Sequence, residues 1–469
     1  MPAATLTAPA PPELPLGQLQ QLCDPGSFRS LRSGVSSPRL GQRAAPGDGV
    51  VSGAGEIGGR PVFCYAQDPS FLGGSLGEVH ADTIVRLLRM AGDAGAPVVG
   101  FVRSGGARLQ EGHSALAGYG RIFRASVELS RRVPQISILD GVSAGGGAYS
   151  PALTDFVVMT EAARMFLTGP QVVREALGEE IGMEALGGPR VHSRNGVCQL
   201  VTADSAAAIE SARLLLALLP TSIGSPPSPA PAVAPAGADP GTVVPANPRK
   251  VYDVRDVVAA LFDAGSSLEL SPRWAPNMVT AFARLDGRPV AILANQPRSL
   301  GGVIDAPAAE KAALFVASCD RFRLPLVVLV DTPGFMPGCR QEELGVIRHG
   351  AALLHAFAAA SIPKLTVVLR KAFGGAAITM NSKDLGADLV FSWSGAQIGI
   401  MAARQAVGIV HRRALAEDGG PSRDQLADAY AGEHLTASAA AASGFVDEVI
   451  EPAATRDRLV WALRSLGER

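Results

Sequence analysis

Two glycine pairs lie where short apolar strands are predicted to run into helices, a position suited to holding a negatively charged oxygen. Gly145 and Gly146 follow the strand predicted over Gln135–Leu139, and Gly374 and Gly375 occupy the same place in the second half of the chain. Glycine lets a backbone N–H approach a ligand without a Cβ in the way, and a helix N-terminus leaves such donors without partners. Two N–H groups directed at one carbonyl oxygen form an oxyanion hole. The recurrence of the pair in both halves favours this function over tight helix–strand packing.

A second glycine-rich turn, Ser104–Gly112, also joins a predicted strand to a predicted helix. An arginine beside accessible backbone N–H groups suits a ligand that carries phosphate or pantetheine. The spacing of the glycines matches neither a Walker motif nor a dinucleotide-binding fingerprint. Arg108 and Glu111 stand three residues apart, so they equally fit an ordinary helix ion pair.

A nucleophilic serine is the less favoured interpretation of the same region. Residues Gly141–Gly145 have the sequence Gly-Val-Ser-Ala-Gly, which matches the G-x-S-x-G pattern of serine hydrolases. The position of Ser143 is taken by Ala372 in the second half, and a hydrolase also needs an acid and a histidine in the right geometry. His349, on a predicted helix, fits a structural histidine better than a catalytic base.

The elements that position these turns occur twice, at an offset of 228 or 229 residues. The segment Gly59–Val62 (Gly-Arg-Pro-Val) recurs at Gly287–Val290, the predicted strand 97–102 matches 325–330, and the first glycine pair matches the second. Each half alternates short apolar strands with helices, which predicts parallel strands joined by right-handed helical crossovers. Loops at the carboxyl ends of such strands form the binding crevice. The sequence therefore predicts an α/β protein made of two tandem copies of one fold.

Proline and alanine mark the predicted domain boundaries. Residues 225–248 contain eight prolines in 24 residues, which predicts an extended interdomain linker. Residues 1–20 begin with an Ala/Pro-rich stretch and are predicted to be disordered. We therefore expect one domain over residues 21–224 and a second over residues 249–469.

The overall composition argues against several classes of protein. A formal net charge of −1 offers no electrostatic basis for binding nucleic acid or an anionic membrane. The five cysteines include no C-x-x-C pair, so neither a zinc ribbon nor a disulfide framework is predicted, and we expect no metal site. Apolar runs stop short of the 18 residues or so that a membrane span needs. We expect a cytoplasmic protein.

Ten short segments, spread over a region from about residue 22 to 465, together carry a family resemblance. They are Ser104–Gly112, Ala117–Tyr119, Ala144–Gly146, Tyr149–Phe156 and Thr168–Pro170 in the first half, and Ala294–Pro297, Asp331–Phe335, Ile347–Ala351, Arg370–Ala376 and Ser382–Lys383 in the second. In this combination the chain resembles the carboxyltransferase (β) subunits of biotin-dependent acyl-CoA carboxylases, of the acetyl- and propionyl-CoA carboxylase type.

The resemblance implies a crotonase-like (ββα spiral) fold in each domain and assigns roles to particular residues. The N–H groups of Gly145 and Gly146 hold the acyl-CoA thioester oxygen as it becomes an enolate oxygen. Those of Gly375 and Ala376 hold the ureido oxygen of biotin. The other implied site residues are Ser104, Gly105, Gly106, Ala107 and Arg108, which bind acyl-CoA, and Ala377 and Ile378, which line the acyl pocket.

The implied activity moves the carboxyl group of carboxybiotin to the α-carbon of a short acyl-CoA, such as acetyl-CoA or propionyl-CoA, giving malonyl-CoA or methylmalonyl-CoA. The biotin nitrogen takes the α-proton, so charge stabilisation and positioning suffice without a side-chain base. The chain has no Met-Lys dipeptide and no ATP-binding signature. Biotin is therefore expected on a partner, the biotin carboxylase/biotin carboxyl carrier (α) subunit. The resemblance also implies a homo-oligomer, a hexamer whose active sites lie between the N-domain of one protomer and the C-domain of another.

Several positions depart from the family pattern. Arg103 stands where an aspartate is usual, and Ser394-Gly395, Ala402 and Gln405 differ close to the expected biotin site. Two alternative functions stay open. A carboxyltransferase-like subunit of an acyl-CoA or malonyl-thioester decarboxylase would run the same half-reaction backward, and a non-catalytic paralogue would only scaffold the complex.

Overall fold

The chain divides between Ile223 and Gly224 into two units, and each unit has its own main sheet. The computed structural model describes residues 15–237, 239–247, 250–416 and 420–467. The part that ends at Ile223 is called unit 1 below, and the part that begins at Gly224 is called unit 2.

Unit 1 combines nine strands with eight helices in its described residues. The strands are β1 (Arg29–Leu31), β2 (Val50–Ile57), β3 (Arg60–Gln67), β4 (Val98–Phe101), β5 (Gln135–Leu139), β6 (Val142–Ala144), β7 (Phe156–Thr160), β8 (Arg164–Phe166) and β9 (Leu200–Thr202). The helices are α1 (Pro15–Leu22), α2 (Glu78–Ala94), α3 (His113–Leu129), α4 (Gly146–Ala152), α5 (Pro170–Leu177), α6 (Met183–Gly187), α7 (Pro189–His192) and α8 (Ser205–Leu218). The main sheet has the order β1-β2-β3-β4-β5-β7-β9, and β6 pairs with β8 in a small second sheet.

The central strands of unit 1 are covered on both faces. β4 and β5 are buried along their whole lengths, as expected of parallel strands between layers of helix. Ile84, Leu87 and Leu88 recur at helical spacing on α2, and they join one hydrophobic cluster with side chains of α3 and of the sheet. The carboxyl ends of β4 and β5 therefore open at one edge of a rigid, close-packed core.

Unit 2 contains eight strands and ten helices in its described residues. The strands are β10 (Leu268–Leu270), β11 (Met278–Leu285), β12 (Arg288–Asn295), β13 (Leu326–Thr332), β14 (Lys364–Phe373), β15 (Leu389–Trp393), β16 (Gln397–Gly399) and β17 (Glu448–Ile450). The helices are α9 (Pro240–Val243), α10 (Val254–Leu261), α11 (Ala306–Arg321), α12 (Cys339–Glu343), α13 (Val346–Ala359), α14 (Gly374–Thr379), α15 (Ala403–Val410), α16 (Arg423–His434), α17 (Ala437–Ala442) and α18 (Thr455–Leu466). The sheet order is β10-β11-β12-β13-β14-β15-β17, with β16 paired to β14.

Strand register confirms the internal repeat. Phe63 of β3 pairs with Val98 of β4 in parallel, and Ala291 of β12 pairs with Leu326 of β13 in the same way. Both residues of the second pair stand 228 positions after those of the first. In each unit an antiparallel hairpin leads into parallel strands connected by helices. The predicted α/β class with two tandem crotonase-like domains is confirmed.

Two expectations about the connecting segments need correction. Residues 1–14 lie outside the described residues, but residues 15–20, expected to be disordered, belong to helix α1. Leu19 and Leu22 of α1 are fully buried, so this short helix is held by the core rather than by its own propensity.

The proline-rich segment 225–248 is not a free linker where it is described. Ala230 N–H donates to the Gly287 carbonyl at 2.9 Å, and Gly237 N–H donates to the Ala259 carbonyl at 3.1 Å. The segment also forms the one-turn helix α9, which begins at Pro240, where proline needs no N–H partner. The segment packs along unit 2.

None of the helices in the described residues combines the length and apolar character that crossing a membrane requires.

Lys311 of α11 is a buried cation that supports the loop before β11. Its side chain is 3% exposed, and Nζ donates to the carbonyl oxygens of Ser271, Trp274 and Met278 at 2.9, 2.9 and 2.7 Å. Burial lowers the pKa of the Lys311 ammonium from 10.5 to about 8. Between these values the unfolded chain binds a proton that the folded chain has released, so stability rises with pH in this window.

We therefore predict a pH-dependent difference between wild type and Lys311→Met. The difference in unfolding free energy between wild type and variant should grow by up to about 3 kcal/mol as the pH rises from 8 to 10.5. This figure follows from about 1.4 kcal/mol for each unit by which the pKa of Lys311 differs between the folded and unfolded chain. At pH 7.5 the variant should already be the less stable, because three buried carbonyls lose their donor. Urea unfolding at several pH values measures the difference. Lys383→Met, at a more exposed lysine, serves as control, and a constant gap between wild type and Lys311→Met would contradict the prediction.

Candidate functional site

The structure brings together the two glycine-rich turns of unit 1. Ser104 N–H donates to the Val142 carbonyl at 2.9 Å, and Ala144 N–H donates to the Ser104 carbonyl at 2.8 Å. A Cβ built on Gly145 would lie 3.9 Å from the Cα of Gly106. The turns after β4 and β5 thus share one rim, as predicted from the parallel topology.

Both turns depend on backbone conformations that favour glycine. The φ angles of Gly106 and Gly145 are +98° and +60°, in the region that L side chains rarely adopt. Ser104, Gly106 and Arg108 are buried, whereas Gly105 is exposed and Ala107 is partly exposed. Of the predicted acyl-CoA segment, the surface therefore presents mainly backbone and the small side chain of Ala107.

The predicted pair of N–H donors in unit 1 needs a correction. Gly145 N–H donates to the Phe166 carbonyl at 3.1 Å, which engages it within the protein. The N–H of Gly147 is directed towards the Tyr119 hydroxyl and lowers the pKa of that group. Gly146 is the first residue of α4, and the N–H of a first helical residue has no acceptor inside its helix. In this turn Gly146 is the donor suited to a ligand oxygen, and Gly145 supplies the turn.

Tyr119 of α3 forms the floor of this turn, a role that sequence reasoning missed. A Cβ on Gly146 would come within 2.7 Å of the Tyr119 ring, so only glycine fits there. The Tyr119 hydroxyl lies 2.9 Å from Ser104 Oγ, and burial raises its pKa. A tyrosine on the apolar face of a helix is ordinarily a core residue, so only its position in a family motif gave a signal.

Arg108 does not reach a ligand through its guanidinium, contrary to the sequence-based expectation. Its side chain is fully buried, and Nη1 donates to Asp48 Oδ1 at 2.7 Å and to Glu111 Oε1 at 2.8 Å. Nη2 donates to the carbonyls of Asp48 and Ser75 at 3.2 and 3.0 Å. The ion pair with Glu111, the other interpretation of their three-residue spacing, is the one found. Arg108 holds the turn from beneath.

Ser143 lacks the exposure that a nucleophile needs. It is fully buried, and its Oγ donates to the Gly147 carbonyl at 2.8 Å. The hydroxyl therefore closes the glycine turn from inside, which argues against the serine hydrolase.

His349 of α13 lies in a helix as expected, with Nδ1 3.9 Å from Glu310 Oε2 on α11. Within the described residues, no group of three or more His, Cys, Asp or Glu side chains is placed to hold a metal ion.

The corresponding turn of unit 2 follows β14. Gly374 has φ +61°, and a Cβ there would lie 3.2 Å from the carbonyl oxygen of Ile400. At Gly375 a Cβ would meet no described atom within 4 Å, so this residue faces open space. Gly375 and Ala376 belong to the first turn of α14, where N–H groups have no acceptor in the helix. Ala376 is buried, Ala377 is partly exposed, and the Ile378 side chain is 54% exposed.

A buried polar network lies behind this second turn. Asp331, at the end of β13, accepts from Arg370 Nε at 3.0 Å and from the Tyr252 hydroxyl at 2.9 Å. Burial raises the pKa of the Asp331 carboxyl, against the opposing charges of Lys371 and Arg370. Burial also lowers the pKa of the Lys371 ammonium, whose Nζ is 3.7 Å from Asp331 Oδ1. The carboxylate is committed to these partners and is not placed as a free base.

Comparisons with known proteins agree along almost the entire chain. The family model described as "Carboxyl transferase domain" matches residues 13–469. The chain is 46% identical over 465 residues to the carboxyltransferase subunit of propionyl-CoA carboxylase from Haloferax mediterranei, covering 96% of this chain and 89% of that protein. It is 43% identical over 465 residues to the methylmalonyl-CoA decarboxylase subunit alpha of Veillonella parvula, with the same coverage.

A solved structure extends the similarity to three dimensions. The crystal structure described as the transcarboxylase 12S hexamer assembly, with methylmalonyl-coenzyme A and methylmalonic acid bound, superimposes with a TM-score of 0.92. That chain is 44% identical in sequence, and the match covers 96% of this chain and 89% of the other.

Arg108→Gln tests the structural role of this arginine. The change leaves the buried carboxylates of Asp48 and Glu111 without their shared cation, so we expect unfolding free energy to fall by about 3–5 kcal/mol. Urea unfolding followed by circular dichroism measures the loss. The matched control is Arg124→Gln, which breaks the exposed pair with Glu128 and should leave stability unchanged. Equal stabilities of the two variants would contradict the buried role of Arg108.

Proposed function

The chain belongs to the carboxyl transferase domain family, and from that membership we propose how its two units share one reaction. The protein is a biotin-dependent acyl-CoA carboxyltransferase, which moves a carboxyl group between biotin and the α-carbon of an acyl-CoA. The observation that carries this conclusion is the family match over residues 13–469. The glycine turn at the same rim of both units supports the division of labour proposed here.

We assign the acyl-CoA to unit 1. The Gly146 N–H holds the thioester oxygen while the α-carbon loses its proton and the oxygen gains enolate charge. A donor fixed in advance stabilises this developing charge without reorganising during the reaction. The backbone of the turn that begins at Ser104 lies beside it and supports the rest of the thioester. Gly145 contributes the left-handed conformation that aims the turn.

We assign the biotin ureido group to unit 2. The backbone N–H groups of Gly375 and Ala376 are the donors, and the open space at Gly375 leaves room for a ring to approach. Bound biotin supplies the carboxyl group as CO2 and a ureido nitrogen that accepts the α-proton. The protein therefore needs fixed dipoles and exclusion of water rather than a side-chain base. The commitment of Asp331 to Arg370 and Tyr252 agrees with this.

Partners and assembly follow from the same assignment. A biotin-carrying partner, the biotin carboxylase/carrier subunit, is needed to supply biotin, and we propose a hexamer in which unit 1 of one protomer works with unit 2 of another. The similar transcarboxylase 12S chain is described in a hexamer assembly. We propose that the protein acts in the cytoplasm, because all five cysteines are free, as is usual in a reducing compartment.

Decarboxylation is the second candidate, supported by the 43% identity to a methylmalonyl-CoA decarboxylase subunit. The two functions share one half-reaction and differ in the partner that handles the carboxyl group. With purified biotinylated partner, ATP, bicarbonate and propionyl-CoA, net formation of methylmalonyl-CoA supports carboxylation. Partner proteins that only release CO2 from methylmalonyl-CoA would favour the decarboxylase.

Gly375→Val tests the biotin half-site. The branched side chain would project into the open space at this turn, so we expect carboxyl transfer from methylmalonyl-CoA to free biotin to fall by at least about 100-fold, as for a lost oxyanion-hole donor. Fold and oligomer should remain intact. Gly432→Val is the control, because a Cβ there also meets no described atom, on the exposed surface of α16. Near-normal turnover by Gly375→Val would refute the assigned role.

The acyl pocket predicts a tolerant enzyme. Ile378 is apolar, so short acyl chains meet no buried charge, and one methylene discriminates by about 1–3 kcal/mol in such a pocket. We expect kcat/KM for acetyl-CoA and propionyl-CoA to lie within about two orders of magnitude of each other. The small Ala377 should also admit butyryl-CoA, and Ala377→Tyr should reduce that activity selectively. Brisk use of propionyl-CoA with complete rejection of acetyl-CoA would show that Ile378 does not set the limit.

A further inference from the structure

Each unit carries a buried ion pair between an arginine and an aspartate at the ends of its two central strands, and the acid and the base lie on opposite strands in the two units. In unit 1, Arg103 follows β4 and donates through Nε to Asp140 Oδ1 at 2.6 Å, and Nη2 donates to Oδ2. In unit 2 the acid, Asp331, lies on β13, the strand that corresponds to β4, and the next strand, β14, carries the base, Arg370. Arg103 and Asp331 stand 228 positions apart, the offset of the repeat, whereas Arg370 stands 230 positions after Asp140, one position beyond the offset of 229 in that segment.

A repeated contact shows that the positions of Arg103 and Asp331 are equivalent in the two units. The Arg103 N–H donates to Gln67 Oε1 at 3.0 Å, and the Asp331 N–H donates to Asn295 Oδ1 at 3.3 Å. Gln67 and Asn295 are also 228 positions apart, at the ends of β3 and β12. The local framework is therefore conserved between the units, while the sign of the buried charge is not.

Asp140 is the centre of the cluster in unit 1. Its side chain is 2% exposed, and it accepts from Gln18 Nε2 of α1 and from Ser205 Oγ of α8, both at 2.6 Å. Arg103, Gln18 and Ser205 together bring three separate parts of unit 1 to one carboxylate. Leaving such a charge without its partner inside a protein is strongly unfavourable, so the cluster holds its members firmly.

The cluster is joined to the glycine turn through the residue after Arg103. The backbone of Ser104 pairs with Val142 and Ala144, on the segment that leads into Gly145. A Cβ on Gly147 would come within 2.9 Å of the Ser104 Cβ, so the two segments have no slack between them. A shift of Arg103 is therefore passed to the turn that carries the Gly146 N–H.

We propose that the Arg103–Asp140 ion pair is a positioning element for the acyl-CoA half-site. It fixes the end of β4 against the end of β5, and so aims the glycine turn at the thioester oxygen. Its function depends on charge pairing and not on which strand carries the base, as the inverted pair in unit 2 indicates. This inference rests on the proposed role of Gly146.

The test uses the intact chain with methylmalonyl-CoA and free biotin as carboxyl donor and acceptor. In this reaction the C–C bond to the carboxyl group breaks, an N–C bond to biotin forms, and the biotin nitrogen's proton replaces the carboxyl group on the α-carbon. Asp140→Asn should lower kcat about tenfold or more, because misplacing a positioned group by about 1 Å costs on the order of 100-fold. The KM for free biotin should stay unchanged, since the half-site in unit 2 is untouched.

The double variant Arg103→Asp/Asp140→Arg exchanges the two charges. It tests whether the ion pair acts by holding the two strand ends together, whichever strand carries the positive charge. It places the acid after the first central strand and the base after the second, the strand order found in unit 2, and Gln18 and Ser205 can accept hydrogen bonds as well as donate them. We expect it to recover the melting temperature and most of the kcat lost in Asp140→Asn. Asp93→Asn, which breaks the exposed pair with Arg132, is the control and should match wild type.

Several results would overturn the proposal. One is that the Asp140→Asn variant folds, assembles into its oligomer and has the same kcat as wild type. Another is a double variant that regains the wild-type melting temperature but keeps the low kcat of the single variant. If Asp140→Asn fails to fold, the double variant alone decides. If Gly375→Val is inactive while Asp140→Asn is fully active, this inference fails and the proposed function stands.

Discussion

A buried ion pair at the carboxyl ends of the two central strands is the constraint on which each unit depends. Charges inside a protein are unfavourable unless they are paired and hydrogen-bonded, and both Asp140 and Asp331 satisfy this with an arginine and further donors. The glycine turns begin within a few residues of these pairs. Satisfying the charges therefore also determines where the backbone N–H groups of the turns can lie.

The fold and the location of the turns were predictable because they depend on local or repeated features. Three signals can be detected in the sequence without knowing any contact between distant residues. They are the periodicity of strands and helices, the offset of 228 residues and the glycines at strand ends. Gly106, Gly145 and Gly374 indeed have φ angles of +98°, +60° and +61°. Because glycine is favoured where φ is positive, a glycine at the end of a strand is a strong local signal of such a turn.

The features that were missed depend on contacts between distant parts of the chain. The partners of Asp140 stand 122 and 65 positions away, at Gln18 and Ser205, and no spacing rule connects them. The Gly145 N–H was assigned to a ligand, yet it donates to Phe166 on a neighbouring strand. Arg108 matched a ligand-binding motif, but its guanidinium faces the core. In each case the motif predicted the position, and tertiary packing decided what the group contacts.

A duplicated turn can serve two different ligands because its active groups are backbone dipoles. The nearby carboxylates of Asp48, Glu111, Asp140 and Asp331 are all engaged by arginines, so none competes for a proton. Backbone donors stabilise an oxygen that gains negative charge, whichever molecule carries it. The side chains that follow each turn, Tyr149 in unit 1 and Ile378 in unit 2, are both half-exposed. These side chains can diverge without disturbing the ion pairs beneath, so the two copies of one fold can present their turns to different ligands, as proposed for the thioester and the ureido ring.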